Sequence, residues 1–321
     1  MNSETACPLC GVRLYEARHT LTDRLYRTTD DEFDVVECRG CGLLRLEPQP
    51  TPDELPQYYP DLYWAKGKTR RGPAGMYRRF VLRDHVRFVA KTIRGMGLPR
   101  ARILDMGCGA GDLLARLRAR GHAAVGLDIA ASALHAAAEV GVPGVRADHS
   151  HAPFASGSFD VVMMYHLLEH IPNPDAAIRE AWRLLAEGGH MILQVPNADS
   201  WQYALLGRYW SGLDVPRHLY DFGRHDLEEF LARNKFAVSR WKFFSLRDNP
   251  PALATSLAPW MEPMARRVRR PNRNFLLRLC GDLAYFCLVC ACVPFAIAEA
   301  MLRRGGTMMI DAEKVTENPA E

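Results

Sequence analysis

The chain has no long uncharged stretch at its start. Met1 to Leu14 is polar and broken by Pro8 and Gly11, so a secretory signal core is not expected. No apolar run reaches the roughly 18 residues of a conventional membrane-spanning helix, and none is predicted. Charge of one sign is also scarce: the net charge is only +4, too mild to argue for a nucleic-acid partner by composition. Internal repeats and low-complexity tracts are missing. An apolar content of 48% and a charged content of 24% are ordinary for a globular protein and exclude the disordered and collagen-like classes. A length of 321 residues suits one large domain with appendages.

A disulfide framework is lacking too. The nine cysteines fall as two pairs near the N-terminus, a lone Cys108, and a late cluster of Cys280, Cys287, Cys290 and Cys292. Without an export signal the thiols are expected to stay reduced in the cytosol, where paired cysteines point to metal. Cys7-Pro-Leu-Cys10-Gly11 and Cys38-Arg-Gly-Cys41-Gly42 are two C-x2-C knuckles. Each pair can reach one tetrahedral Zn²⁺, and the following glycine permits the tight turn. Four thiolates leave no open coordination position, so Cys7, Cys10, Cys38 and Cys41 predict a structural zinc site. A module this small has little core of its own, and the metal would supply its stability.

The remaining organisation is read from periodicity. Residues 1–50 form the cysteine module, with strand-like pieces at Phe33–Val36 and Leu43–Leu46. Residues 51–98 hold a linker or lid, in which Tyr58, Tyr59 and Tyr63 either cover a ligand or simply pack. An amphipathic helix follows at Met76–Met96, with Phe80, Phe88, Val89, Ile93 and Met96 on its apolar face. From 99 to 246 short apolar runs alternate with helical stretches. Strands are expected at Ile103–Asp105, Ala123–Asp128, Val142–Ala147, Phe159–Tyr165, His190–Val195 and Ala237–Leu246. Helices are expected at Asp112–Arg120, Ser132–Val140, Pro174–Ala186 and His225–Asn234. This alternation predicts an α/β fold, a doubly wound Rossmann-like sheet whose ligand lies at the carboxyl ends of the strands. Residues 247–305 break the pattern as a helical, apolar insertion. Residues 306–321 supply a last strand at Met308–Ile310, which could close the sheet, and a tail.

The most informative stretch is Ile103-Leu-Asp105-Met-Gly107-Cys108-Gly109-Ala-Gly111-Asp112, a strand, a glycine loop and a helix start. Glycine lets the backbone turn tightly and approach a ligand where a side chain would collide. A bare G-x-G-x-G is weak, because dinucleotide folds use a similar loop. Here an acid, Asp105, ends the strand. It would repel a pyrophosphate and attract an amino-acid ammonium group. Asp128 closes the second strand and suits a ribose diol, while Asp148 beyond the third strand can accept from an adenine amino group.

These residues resemble the class I S-adenosylmethionine methyltransferase family over about residues 100–246. The resemblance implies that Asp105, Gly107, Cys108, Gly109, Gly111, Asp128, Ile129 and Asp148 bind S-adenosylmethionine. Asp160-Val-Val-Met-Met-Tyr165-His166-Leu-Leu-Glu169-His170-Ile171 resembles the fourth-strand motif of the subgroup with small-molecule C- and O-methyltransferases, and adds Tyr165 and His166 to that set.

Methyl transfer is an in-line displacement in which the protein aligns the nucleophile and removes its proton. Histidine is the natural base near neutral pH. The candidates are His170, after the fourth strand, and His218 in Asp214-Val-Pro-Arg217-His218-Leu-Tyr220. The latter loop resembles that of zinc-containing sugar C-methyltransferases, which have an acid where Arg217 stands. The alternative for either histidine is a hydrogen-bonded loop residue that shapes the pocket.

In the insertion, Leu283 to Ala298 carries no charge and is interrupted by Pro294, with Arg266, Arg267, Arg269, Arg270 and Arg273 before it and Arg303 and Arg304 after. The uncharged run falls short of a ~30 Å hydrocarbon core. It reads either as a segment held at an anionic inner membrane face through residues 266–304, or as a buried helical hairpin. Cys287 and Cys290 read as small hydrophobes.

The leading function is therefore methylation, at carbon or oxygen, of a small-molecule, glycan-linked or lipid-linked acceptor. A second reading is an RNA methyltransferase gripping RNA with its zinc ribbon, since ribosomal guanine methyltransferases also begin with Cys-Pro-x-Cys. The acidic module (Asp23, Asp30, Asp31, Glu32, Asp34, Glu37) and the lack of an Asn-Pro-Pro-Tyr-like segment disfavour it. A non-catalytic zinc and membrane scaffold, and a nicotinamide dehydrogenase, complete the alternatives.

Overall fold

The computed structural model describes residues 6–60, 75, 79–272 and 274–316. Tyr63, Met76 and Arg273 lie outside the described residues. The chain forms two compact units that cut across the sequence segments. Unit 1 comprises Met1–Tyr63, Pro196–Leu227 and Phe243–Met308; unit 2 comprises Trp64–Val195, Glu228–Lys242 and Met309–Glu321.

Unit 2 is built on a seven-stranded sheet of order β10-β11-β8-β7-β4-β5-β6. Its strands are β4 (Arg102–Met106), β5 (Ala123–Asp128), β6 (Gly144–Arg146), β7 (Phe159–Tyr165), β8 (Leu185–Pro196), β10 (Phe236–Lys242) and β11 (Thr307–Lys314). The pairs β4–β5, β4–β7, β5–β6 and β7–β8 are parallel, whereas β10 and β11 are antiparallel. The last strand does not cap the sheet; it inserts between β8 and β10. The helices are α1 (Arg83–Gly95), α2 (Asp112–Arg118), α3 (Ala131–Ala138), α4 (Pro174–Leu184) and α6 (Arg224–Arg233).

The central strands read as near-continuous apolar runs because helices cover the sheet. Ile103, Leu114, Leu117, Val161, Met163 and Ile192 form one fully buried cluster with Val89 of α1. Burial of each such side chain contributes about 1.5–3 kcal/mol. In α1 the apolar stripe comprises Val86, Phe88, Val89 and Ile93. Phe80 does not belong to it: it is 53% exposed and precedes the regular helix, with the Arg83 guanidinium 5.7 Å from its ring centroid. Asn173 caps α4 by accepting from the Ala176 N–H at 3.1 Å. That helix stops at Leu184 rather than Ala186, because β8 already begins at Leu185, opposite Phe159. The left-handed Gly188 lies in the register irregularity that lets the strand start early.

Unit 1 holds an antiparallel four-stranded sheet of order β1-β2-β3-β9, from β1 (Tyr15–Leu21), β2 (Phe33–Cys38), β3 (Leu44–Glu47) and the short β9 (Tyr220–Asp221). Its helices are α5 (Trp201–Leu206), α7 (Asn249–Leu257), α8 (Pro263–Arg269) and α9 (Phe275–Met301). The uncharged run of the insertion thus lies within one 27-residue helix, α9, which is longer than that run and long and apolar enough to cross a membrane by length and composition. The helix continues through Asp282 because Arg266 and Arg267 meet that charge. Of the late cysteines Cys292 packs inward, while Cys287 and Cys290 are exposed.

Candidate functional site

In unit 2 Asp105, the glycine loop, Asp128 and Ile129 lie at the carboxyl ends of β4 and β5, whereas Asp148 follows β6, and Tyr165 and His166 stand at the end of β7. Gly107, Gly109 and Gly111 all adopt left-handed backbone, with φ of +73°, +52° and +70°. A Cβ on Gly107 would lie 2.8 Å from the Leu167 side chain, and one on Gly111 3.0 Å from Ala137. Around Gly109 the space is open. The Gly107 and Cys108 N–H groups both donate to the Leu127 carbonyl, which sews the loop to β5. Asp128 is buried and bridges loop and helix. Its Oδ2 accepts from the Gly109 N–H at 2.9 Å, and its Oδ1 from the Ala130 N–H at 2.9 Å. Each carboxylate oxygen has a further lone pair.

Asp105 is buried at the end of β4. Cys108 lies within the loop, but its side chain turns into the core, where a Cβ on Gly126 would come within 2.4 Å of its Sγ. Burial, together with the neighbouring Asp105 and Asp128, pushes the Cys108 thiol well above its ordinary value. Only its backbone is open to a ligand role. Ile129, beside Asp128, is exposed. Asp148 is a surface residue that accepts from the Ser150 backbone N–H at 2.8 Å and from its hydroxyl. Although burial opposes it, the Ser150 bonds lower the Asp148 pKa.

After β7 the backbone at His166 is left-handed, with φ +51°, an uncommon state for a residue with a side chain. Its Nδ1 lies 3.2 Å from Oε1 of Glu169, a carboxylate with no exposed surface. His170 follows in a single 3-10 turn, Leu168–His170. Sequence reasoning missed His85, which is fully buried on α1 with Nε2 2.8 Å from Gln194 Oε1 and its ring 5.2 Å from that of Tyr165. A signal was available, since His85 occupies the apolar stripe of its helix, one turn before Val89.

In unit 1 the four N-terminal cysteines converge, with all Sγ atoms within 4.8 Å of one another. Cys7 and Cys41 stand 3.7 Å apart, and Cys10 and Cys38 3.4 Å. The two knuckles repeat one geometry: Gly11 N–H donates to Cys7 O and Gly42 N–H to Cys38 O, both glycines at positive φ. A hydrogen bond from Cys41 draws the Cys7 thiol well below its ordinary value, and Cys41 rises in return. Four thiols this close fit a tetrahedral soft-metal site.

His218 lies in the loop before β9, largely buried. Its Nδ1 is 2.6 Å from the Gly212 carbonyl. A carbonyl oxygen only accepts, so Nδ1 carries a hydrogen. Arg217, where an acid was the pattern, is entirely buried and donates to Asp23, to Asp214 and to the Tyr58 carbonyl. It shapes the loop that carries His218.

A family profile described as a methyltransferase domain matches residues 76–240, half of the chain. The chain belongs to the class I S-adenosylmethionine-dependent methyltransferases. As a methyltransferase it is 33% identical over 147 residues to a ubiquinone biosynthesis O-methyltransferase of Pectobacterium atrosepticum, covering 43% of this chain and 59% of the relative. The corresponding enzyme of Psychrobacter cryohalolentis is 32% identical over 162 residues, covering 47% and 61%. This methyltransferase therefore spans about 60% of the length of the curated relatives it matches. Among solved structures, a methyltransferase from Galdieria sulphuraria shares the fold, with a TM-score of 0.50 at 14% identity, covering 72% of this chain and 86% of that one.

Proposed function

We propose that this methyltransferase transfers the methyl group of S-adenosylmethionine to a hydroxyl oxygen of a small organic acceptor. The observation that carries the cofactor reading is the tie between Gly109 and Asp128. It presents a bare backbone turn and a half-satisfied carboxylate at one place. When bound, S-adenosylmethionine supplies an electrophilic methyl group. Asp105 attracts its ammonium group, Gly107, Gly109 and Gly111 keep side chains out of its way, and Asp128 accepts from its ribose. The Cys108 backbone, Ile129 and Asp148 flank the nucleoside, with Tyr165 and His166 bounding the site on the β7 side.

The preference for oxygen over carbon rests on the O-methyltransferase relatives. His218, whose Nδ1 donates to the Gly212 carbonyl, is the proposed proton acceptor, and His170 is the second candidate. A glycan- or lipid-linked acceptor remains compatible with this chemistry. The four cysteines are proposed to hold a structural Zn²⁺, whose sphere they complete. Methyl transfer from labelled S-adenosylmethionine across matched hydroxyl and carbon acceptors tests the reading. Label in an ether product supports it; heat with NADH in calorimetry but none with S-adenosylhomocysteine overturns it.

A further inference from the structure

Helix α9 is predominantly apolar, yet only one of its faces is packed. Tyr285, Val289, Cys292, Ala296 and Glu299 are buried. Tyr285 Oη meets Thr255 Oγ1 at 2.7 Å, and Glu299 Oε1 accepts from Gln202 Nε2 at 2.7 Å. These polar ties fix one side of the helix to unit 1, so lipid cannot surround it as it would a spanning helix.

The opposite side carries Leu276, Leu279, Leu283, Phe286, Ile297 and Met301, exposed by between 44% and 79%. At 3.6 residues per turn these six fall within about 80° of one another around the axis, a stripe about 40 Å long. A contiguous apolar surface of this size marks an interaction site.

What it would meet follows from the charges beside it. At the N-terminal end, Tyr26, Arg27, Trp260, Arg266, Arg269 and Arg270 line a cleft of about 790 Å³. Gly281 of α9 forms part of its wall, where the Arg266 guanidinium packs against the helix. Among the described residues neither Arg27 nor Arg270 forms an ion pair, and both are exposed. Burial, and then the charge of Arg27, lower the Arg269 pKa against the opposing pull of Asp23 and Glu262. At the far end of the stripe Arg303 and Arg304 are exposed as well.

An apolar stripe bracketed by arginines, with the exposed Trp260 at the cleft rim, matches the layering of a phospholipid surface, where apolar side chains enter the acyl boundary and guanidinium groups meet phosphates. We propose that this face of unit 1 binds an anionic phospholipid membrane, with α9 lying in the interface plane and the arginine cleft taking lipid phosphate groups. The inference stands independently of the methyl acceptor.

Vesicle co-sedimentation of the full chain tests it, using phosphatidylcholine alone and phosphatidylcholine with phosphatidylglycerol, at low and high salt. The protein should sediment with the anionic vesicles, and less so at high salt. Arg270→Glu should weaken partitioning by about fivefold or more, in line with the worth of one basic residue at such a surface. Leu283→Glu with Phe286→Glu should abolish it, while both proteins keep wild-type affinity for S-adenosylhomocysteine as proof of folding. Failure to sediment, or equal sedimentation with neutral vesicles, overturns the proposal. So does calorimetric binding of glycerophosphate without any vesicle association, which reassigns the cleft to a soluble phosphate ligand. A dimer in light scattering that Leu283→Glu dissolves, again without vesicle binding, gives the stripe to a second copy of the chain and also overturns it.

Discussion

Arg217 donates through its two terminal nitrogens to the two carboxylate oxygens of Asp23, at 2.8 and 2.9 Å, and neither side chain has any exposed surface. A residue of the cysteine module, between β1 and β2, thereby holds the turn that precedes β9. Asp214 completes the arrangement on a second edge of the guanidinium, and the ring of Tyr26 lies 4.7 Å from its centre. Burial works against the charge of Arg217, but the two carboxylates outweigh it and raise its pKa.

Removing Arg217 leaves two carboxylates without their cation, whereas without Asp23 the guanidinium still keeps Asp214. Arg217→Leu should therefore destabilise the protein by about 3–5 kcal/mol in urea unfolding and Asp23→Asn by less, whereas an exposed pair such as Arg18–Glu37 should cost under about 1 kcal/mol.

The same pair predicts a pH dependence. Burial disfavours ionised Asp23, yet the Arg217 hydrogen bonds and charge bring its pKa down from 3.8 to about 2. A depressed carboxylate stabilises the fold above its unfolded pKa and loses that contribution as pH falls through the folded value. The stability gap between wild type and Asp23→Asn should be level above about pH 5 and narrow by about 2 kcal/mol towards pH 2. A gap that stays constant down to pH 2 would contradict the ion pair.

Gly107→Ala forces a Cβ towards Leu167 at a positive φ, and Asp128→Ala releases the Gly109 N–H. Both should weaken S-adenosylhomocysteine binding tenfold or more in calorimetry, a loss of at least about 1.4 kcal/mol. Gly121→Ala, also at positive φ but with no neighbour within 4 Å of its Cβ and outside the loop, should leave that affinity unchanged.

The cysteine cluster predicts about one zinc per chain by elemental analysis. Cys38→Ser, or a strong chelator, should lower the melting temperature of unit 1, because metal binding is then part of its folding free energy. Retention of the melting temperature after metal removal would leave the site without a structural role.

His218→Gln should reduce kcat by about 10²–10⁴-fold while the affinity for S-adenosylhomocysteine holds, the signature of a lost base. His170→Gln serves as the comparison. If it carries the larger loss, the base is His170.

How much of this was legible beforehand depended on whether the cause was local. The glycine loop and the cysteine knuckles are demanded by backbone sterics and ligand spacing, and both appear where the motifs put them. Central strands such as β7 were visible as apolar runs. Strand β1 was missed because Tyr-Glu-Ala-Arg-His-Thr-Leu shows little alternation; pairing with β2, not its own pattern, makes it a strand. The inward turn of Cys108 depends on Gly126 one strand away, and the burial of Arg217 on Asp23, 194 positions distant. Such partners cannot be read from a local window. Likewise α9 outran its uncharged core because the charge of Asp282 is answered by α8.

The placement of β11 has a consequence for how the protein is made. Until residues 307–314 have left the ribosome, β8 has no neighbour on that side and β10 has no partner at all. The nascent chain must carry an open strand edge through the synthesis of the whole of α9, and an open edge invites pairing with other chains. Cells that produce it in quantity should depend on holding chaperones during that interval, and translation stalled within α9 should yield aggregates rather than a soluble half-sheet.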